Sequence, residues 1–335
     1  VRLFTWWLPK AVALQVFSLL PGGARLYYRF LRLALRASPE LSSRLVMTPA
    51  EFEGKLRQAS RHVDNYRTAA DRAGGCAADA FEGARVLELG TGWHPAIPIA
   101  LHLCGARSVR TVDLVDQCRP EGLGPLLDLF LRYRDSGELG TLLPAAREDR
   151  LDALADLRAS GMGSLDETLA LLGIERSIGD ARRLPLPSRS VDLFVSNNVL
   201  EHIPERAMLG ILHEFRRLAS EGGVMSHYVD LGDHHSYVDG AITRYNYRRF
   251  GPLAWALVNS PIYSQNRFVP SEYCRVQAQA GWNVVEIEVD KGDFDELAPR
   301  VPVAECFWDR PRWEWFADTL WLVAVPERGG LWEHA

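Results

Sequence analysis

Cysteine is scarce: five in 335 residues, with Cys76, Cys104, Cys118, Cys274 and Cys306 scattered and no Cys-x-x-Cys pair among them. That spacing argues against a zinc ribbon, a thioredoxin-type dithiol and a disulfide framework, and it fits a reducing compartment. Basic charge is not in excess either. The 38 Lys and Arg face 43 Asp and Glu, a formal net charge of −5, so a sequence-independent nucleic-acid binder is not expected. A membrane-spanning helix needs roughly 20 apolar residues, and no such run is present. In Val1–Leu20, Pro9-Lys10 interrupts the apolar stretch and Pro21-Gly22-Gly23 ends it, leaving Ala11–Leu20. Lys10 in mid-stretch also fits a secretory signal poorly, and Pro21-Gly22-Gly23-Ala24 reads as a helix stop. The expectation is a cytoplasmic chain whose first helices pack on the body or touch a membrane surface. Internal repeats and low-complexity tracts are missing as well.

What is there is typical of a folded protein. With 47% hydrophobic and 24% charged residues, the chain can bury a substantial core as one decorated domain or two modest ones. Residues 1–80 read as helical, with Leu26, Phe30 and Leu33 at helical spacing and a second pattern through Phe52, Leu56, Ala59 and Val63. Ala73-Gly74-Gly75 ends that region. Val86–Leu89 then reads as a buried strand entering a glycine turn, followed by an apolar helix over Ala96–Cys104 and a strand over Val109–Val112. Strand, turn, helix and strand open a parallel doubly wound sheet. Residues 115–175 show helical pieces, Pro125–Arg134 and Leu151–Ala159, and no convincing strand. Strands return at Val191–Val195, Gly223–Val229, Trp282–Val289 and Thr319–Val325, the last two reading as an antiparallel pair at the sheet edge. The division expected is an N-terminal helical region, 1–80, and a sheet domain, 81–335, with a helical insertion at about 115–175.

The turn Glu88-Leu89-Gly90-Thr91-Gly92 lies between strand and helix, the setting a nucleotide-binding turn requires. Glycines let backbone approach a ligand, and the helix start offers free N–H groups. Glu88 decides which ligand. A carboxylate there would repel a dinucleotide phosphate and attract the amino group of S-adenosylmethionine. The dinucleotide pattern also wants a glycine where Pro95 stands. Asp113, ending the second strand, can accept from both ribose hydroxyls.

Gly179-Asp180-Ala181, Leu184-Pro185-Leu186-Pro187, Ser190-Val191-Asp192-Leu193 and Ser196-Asn197-Asn198-Val199-Leu200-Glu201-His202-Ile203-Pro204 follow in that order. The succession over about residues 84–325 resembles the class I S-adenosylmethionine-dependent methyltransferases. The resemblance implies a Rossmann-like, mostly parallel seven-stranded sheet with a reversed last strand, here with N-terminal and inserted helical caps. It implies that Glu88 binds the methionine amine, that Gly90, Thr91 and Gly92 line the methionine end, and that Asp113 and Leu114 hold the ribose. Asp180 and Ala181 would meet the adenine, and Asn197 would sit beside the sulfonium. The family often has glycine at the position of His94, so Trp93-His94-Pro95 would shape the pocket differently.

The acceptor should bind beyond the carboxyl ends of the strands. The fifth strand ends there at Val229-Asp230, followed by Leu231-Gly232-Asp233-His234-His235. His234 is the expected base, with Asp230 or Asp233 holding its other ring nitrogen. His202, Tyr263, Asn266 and Arg267 are the expected acceptor-binding residues. Asp230, Asp233 and His234 could also ligate a metal, but nothing in the spacing fixes a coordination geometry and no metal is assigned. At about 100° per residue, Arg25, Arg29, Arg32 and Arg36 fall within an arc of about 60°, either a solvated face or a basic stripe for an anionic surface. The expected function is methyl transfer from S-adenosylmethionine to a small-molecule acceptor in biosynthesis, a natural product or saccharide, most simply at oxygen. S-adenosylhomocysteine would be the second product. Methylation of an isoprenoid or lipid-linked acceptor at a membrane, and an inactive S-adenosylmethionine-binding scaffold, are the alternatives.

Overall fold

In a computed structural model, the structure describes residues 7–23, 25–27, 29, 30, 33, 46–72, 81–237 and 239–327. Arg32, Arg36, Cys76 and the Ala73-Gly74-Gly75 stop lie outside them.

Seven strands form one sheet: β1 (Arg85–Leu89), β2 (Ser108–Asp113), β3 (Ile174–Ile178), β4 (Val191–Asn197), β5 (Ala219–Asp230), β6 (Trp282–Lys291) and β7 (Ala317–Pro326). Their order is β3-β2-β1-β4-β5-β7-β6. The first five are parallel to one another, and β7 runs antiparallel to both β5 and β6. This is the doubly wound sheet with a reversed last strand that the sequence suggested. Side-chain alternation splits the strands between two cores. Val86, Leu193 and Val195 face one layer, and Leu87, Leu89 and Phe194 face the other.

The helices follow from where apolar residues fall. Helix α1 (Trp7–Leu19) buries Trp7, Ala11 and Leu14. Pro9 sits in its first turn, where a missing N–H costs nothing, so this proline does not break the helix as the sequence reading assumed. Helix α2 (Pro49–Arg72) buries Phe52, Leu56, Ala59 and Val63 completely. It shares a core with α3 (Ala96–Leu103) and the inserted helices α4 (Pro120–Asp135), α5 (Glu138–Leu142), α6 (Glu148–Ser160) and α7 (Leu165–Leu171). Helix α8 (Glu205–Leu218) covers the other face, with α9 (Pro252–Val258) and α10 (Pro270–Gln279) following it in the chain. Arg61 and Arg72 of α2 tie that helix to Glu286 on β6.

Two expectations need correction. Residues 115–175 run into a strand, β3. It escaped notice because it is the sheet's edge and only Ile174 of its five residues is buried, so no alternation shows. Leu26, Phe30 and Leu33 are 48%, 62% and 60% exposed, so their helical spacing does not mark a face packed on the body. Arg25 and Arg29 are exposed beside them. No helix among the described residues is long and apolar enough to cross a membrane.

Candidate active site

The donor end is built by β1, β2 and the turn between β1 and α3. Gly90 has φ +78°, and a Cβ there would lie 2.4 Å from a Val199 methyl, so the position admits only glycine. Asp113 accepts the Thr91 N–H at 3.0 Å and the Gly92 N–H at 3.4 Å, clamping the turn from the end of β2. Thr91 donates its hydroxyl to Glu88 at 2.5 Å. Glu88 is only 2% exposed, and burial pushes its carboxyl up to about 7 against the Thr91 hydrogen bond. Leu114 stands bare beside Asp113, 79% exposed. Asp180 is gripped by the Arg182 guanidinium, which pulls it down to about 2, and Ala181 is buried behind it.

At the end of β4, Asn197 meets two residues that the sequence reading did not single out. His62 of α2 lies with Nε2 3.2 Å from the Asn197 Oδ1 and Nδ1 2.8 Å from the Ser226 hydroxyl. Burial holds His62 near 3, so its imidazole is neutral. The Asn197 side-chain N–H₂ has no protein partner, although it is buried. Lys55, two turns earlier on α2, is attracted to both Glu88 and Glu201, while burial lowers its own pKa. The signal for both was present: Lys55 and His62 are seven residues apart, two helical turns, on a helix whose apolar stripe had been recognised.

Asn198 takes a left-handed φ of 59° and turns the chain into the short 3-10 helix Leu200–His202. The acceptor end is assembled from that turn, from Asp230 at the tip of β5, and from the 3-10 turn His234–Tyr237. His202 donates Nδ1–H to the Ser264 carbonyl at 2.7 Å, which leaves its Nε2 as a bare lone pair. Burial holds His202 near 4. The His234 Nε2 is 3.4 Å from Asp230 and 3.9 Å from Glu201, close to both carboxyl groups but aligned for a hydrogen bond with neither. Its Nδ1 lies 3.3 Å from the Tyr263 hydroxyl. Glu201 is 3% exposed with both carboxylate oxygens unpartnered, and burial raises its pKa well above the usual range.

Several expected roles change. Asp233 does not hold the His234 ring: it accepts from the His235 N–H at 2.9 Å and from Asn246 at 3.2 Å, closing its own turn. Asp230 is the acid beside His234, and it also accepts from Gly232 N–H, Arg244 and the Tyr237 hydroxyl. Burial would raise Asp230, but the contacts with His234, Tyr237 and Gly232 outweigh it and pull the carboxyl to about 2. Asn266 donates to the Leu200 and Ile203 carbonyls and accepts from Phe268 N–H and Tyr273. Arg267 donates to the Tyr247 and Phe250 carbonyls, with its guanidinium over Trp255. Both brace loops through these polar atoms. The His235 ring lies 5.5 Å from that of Trp7.

A parallel sheet with one reversed strand, a glycine turn backed by a buried acid, and a second acid at the next strand tip define a Rossmann-like nucleotide-binding domain. Residues 155–226 match the family model described as Methyltransferase domain, in keeping with the resemblance that the order of motifs carries. S-adenosylmethionine is the cofactor that this resemblance implies. No curated protein matches the chain. Among solved structures, it is similar to a TehB-like methyltransferase from Corynebacterium glutamicum at 14% identity, covering 78% of this chain and 88% of that one, with a TM-score of 0.35. An S-adenosylmethionine-dependent methyltransferase from Mesorhizobium loti is 15% identical, with 73% and 91% covered and a TM-score of 0.36. A geranyl diphosphate C-methyltransferase from Streptomyces coelicolor, complexed with Mg²⁺, geranyl diphosphate and S-adenosylhomocysteine, is 14% identical, with 72% of each chain covered and a TM-score of 0.38.

Proposed function

We propose that the chain methylates a hydroxyl of a small biosynthetic acceptor, a natural product or saccharide, bound beyond the tips of β4 and β5. One observation carries this reading: Glu201, His202, Asp230 and His234 bring a buried cluster of proton-accepting atoms to the sheet end where the donor methyl belongs. A carbon acceptor already activated for attack would have no use for such a cluster. The described cysteines Cys104, Cys118, Cys274 and Cys306 are free thiols, which supports a cytoplasmic setting.

The cofactor, when bound, supplies a methyl group already activated on a sulfonium. This chain's residues suit it. The Glu88 carboxylate would take the methionine ammonium, Gly90 leaves the space a Cβ would fill, and Asn197 offers an unpartnered buried amide at the end of β4. Asp113 keeps lone pairs for the ribose while it clamps the turn. Asp180 and Leu114 would flank the adenosine. What remains for the protein is alignment, exclusion of water and removal of the acceptor's proton. The neutral His62 anchors α2 over the site through Asn197 and Ser226, and α1 closes it from the far side, with its Lys10 ammonium over the Tyr263 ring.

A second reading has its own observation. Val12, Val16 and Leu19 leave the outward face of α1 51%, 55% and 77% exposed, which favours a lipid-linked acceptor at a membrane surface. Calorimetry with S-adenosylhomocysteine and with NAD tests the cofactor: the first should bind and the second should not. Transfer of labelled methyl to hydroxylated acceptors tests the reaction, and flotation with anionic liposomes separates soluble from surface-bound acceptors. Labelled methyl appearing on carbon would overturn O-methylation.

A further inference from the structure

We propose that Glu201, His202 and His234 form a site for a divalent transition-metal cation of the Zn²⁺ type, placed to bind the acceptor's oxygen. The inference rests on the acceptor end being where the previous section puts it. It replaces a purely side-chain account of the proton's removal.

Three independent features converge on one point. The donor atoms of Glu201, His202 and His234 all lie within 4.8 Å of one another. Both Glu201 oxygens and the His234 Nε2 are buried without a hydrogen-bond partner. Native structures rarely leave such groups unsatisfied, because an unpaired buried carboxylate is costly. Finally, the Ser264 carbonyl takes the His202 Nδ1–H at 2.7 Å, which fixes the tautomer and turns Nε2 inward. A backbone carbonyl on the outer nitrogen is the support that metal-binding histidines commonly have. The Tyr263 hydroxyl, 3.3 Å from the His234 Nδ1, occupies the equivalent place on the other ring.

The donor set selects the ion. Two imidazoles and one carboxylate suit Zn²⁺, Fe²⁺ or Co²⁺ better than Ca²⁺ or Mg²⁺, which prefer oxygen alone. Three protein ligands also leave a position open, the mark of a catalytic site rather than a structural one. Asp230 is excluded as a primary ligand because Arg244, Gly232 and Tyr237 already hold it. Its carboxylate lies 3.4 Å from the ligating His234 Nε2, where its negative charge adds to the site's attraction for a cation. Asp233, an obvious candidate in the sequence, faces its own turn and takes no part.

A divalent cation lowers the pKa of a bound O–H by several units, so a hydroxyl taking the open position would pass its proton to solvent water as the acceptor enters, before the site closes. The oxygen lone pair then takes the methyl, and the carbon–sulfur bond pair returns to sulfur, leaving a neutral thioether. His234 acts here as a ligand and not as a base.

The test uses the full chain, stripped with a chelator and titrated with Zn²⁺ alone, then with Co²⁺ alone. We expect one equivalent of Zn²⁺ to bind and Co²⁺ to show the visible absorption of a nitrogen- and oxygen-ligated ion. Glu201→Gln and His202→Gln should each weaken Zn²⁺ binding at least about a hundredfold, and His235→Gln should leave it unchanged. S-adenosylhomocysteine affinity should stay near wild type throughout, which shows that the variants are folded. Wild-type protein that ignores both metals, or Gln variants that bind Zn²⁺ as tightly as wild type, would overturn the proposal and leave methyl transfer standing. A chain that binds Zn²⁺ but not S-adenosylhomocysteine would uphold the cation site and sink the cofactor reading.

Discussion

The two ends of the cleft are built differently. At the donor end, Glu88, Gly90, Thr91 and Gly92 lie within five consecutive residues, and Asp113 is one strand away. Their polar atoms largely satisfy one another: Thr91 donates to Glu88, and Asp113 takes two turn N–H groups. At the acceptor end, Glu201 and His202, Asp230 and His234, and Tyr263 come from three segments distant in the chain, and several of their atoms have no protein partner. The donor end is a self-supporting cradle, whereas the acceptor end is an array of groups awaiting something to bind. Helix α2 joins them, with Lys55 between Glu88 and Glu201 and His62 on Asn197.

The sharpest way to break this contrast is His234→Ala. If the acceptor end performs chemistry and the donor end binding, turnover on a responsive acceptor should fall roughly 10²–10⁴-fold, with S-adenosylhomocysteine affinity nearly unchanged by calorimetry. A matching loss of affinity would show that the two ends are one unit.

Asp113→Ala probes the other side. Charge-assisted bonds contribute roughly 1.5–3 kcal/mol each, so cofactor affinity should drop at least about tenfold. The loss has two sources, the ribose contacts and the released Thr91 and Gly92 N–H groups. Asp113→Asn, which keeps an acceptor oxygen, should recover part of it. Equal affinities for both variants and wild type would deny Asp113 any role in the cradle.

A pH series asks whether Glu88 is the ammonium's partner. Its carboxyl titrates near 7 in the empty site because burial disfavours the charge. Below that pH, ligand must displace a proton, so affinity should fall by up to about tenfold per pH unit. Calorimetry at pH 6 in buffers of different ionisation enthalpy should detect proton release, and Glu88→Gln should abolish it. The same shift has a stability cost with a definite sign. The empty fold holds this proton more tightly than the unfolded chain does, so it should lose stability as pH rises from about 4.5 to about 7.

The smallest functional effect belongs to Asn266→Ala. Loss of its bonds to the Leu200 and Ile203 carbonyls should cost about 1–3 kcal/mol of stability in denaturant melts. Cofactor affinity should not move. A wild-type melt would contradict the bracing role given to Asn266.

What the sequence alone determined was whatever short-range pattern can encode. Strands β1, β2, β4 and β5 announce themselves as apolar runs, and the cradle is legible because a turn, its glycines and its acid are neighbours along the chain. The reversed strand was readable from the order of the motifs, although β3, an edge strand with one buried residue, was not. Tertiary structure decided everything that depends on who faces whom. Asp230 and Asp233 are three residues apart and chemically identical, yet one meets His234 and the other closes a turn. Asn266 and Arg267 looked like ligand contacts because polar residues between aromatics serve equally well to satisfy buried carbonyls, and only the packed loops show which use they have. His62 and Lys55 stayed hidden because a helical stripe reveals which face is buried but not what it is buried against. In the sequence Glu201 stood out only as one residue of the run from Ser196 to Pro204. Its orphaned carboxylate becomes visible only once the fold has excluded water from around it and brought two imidazoles within reach.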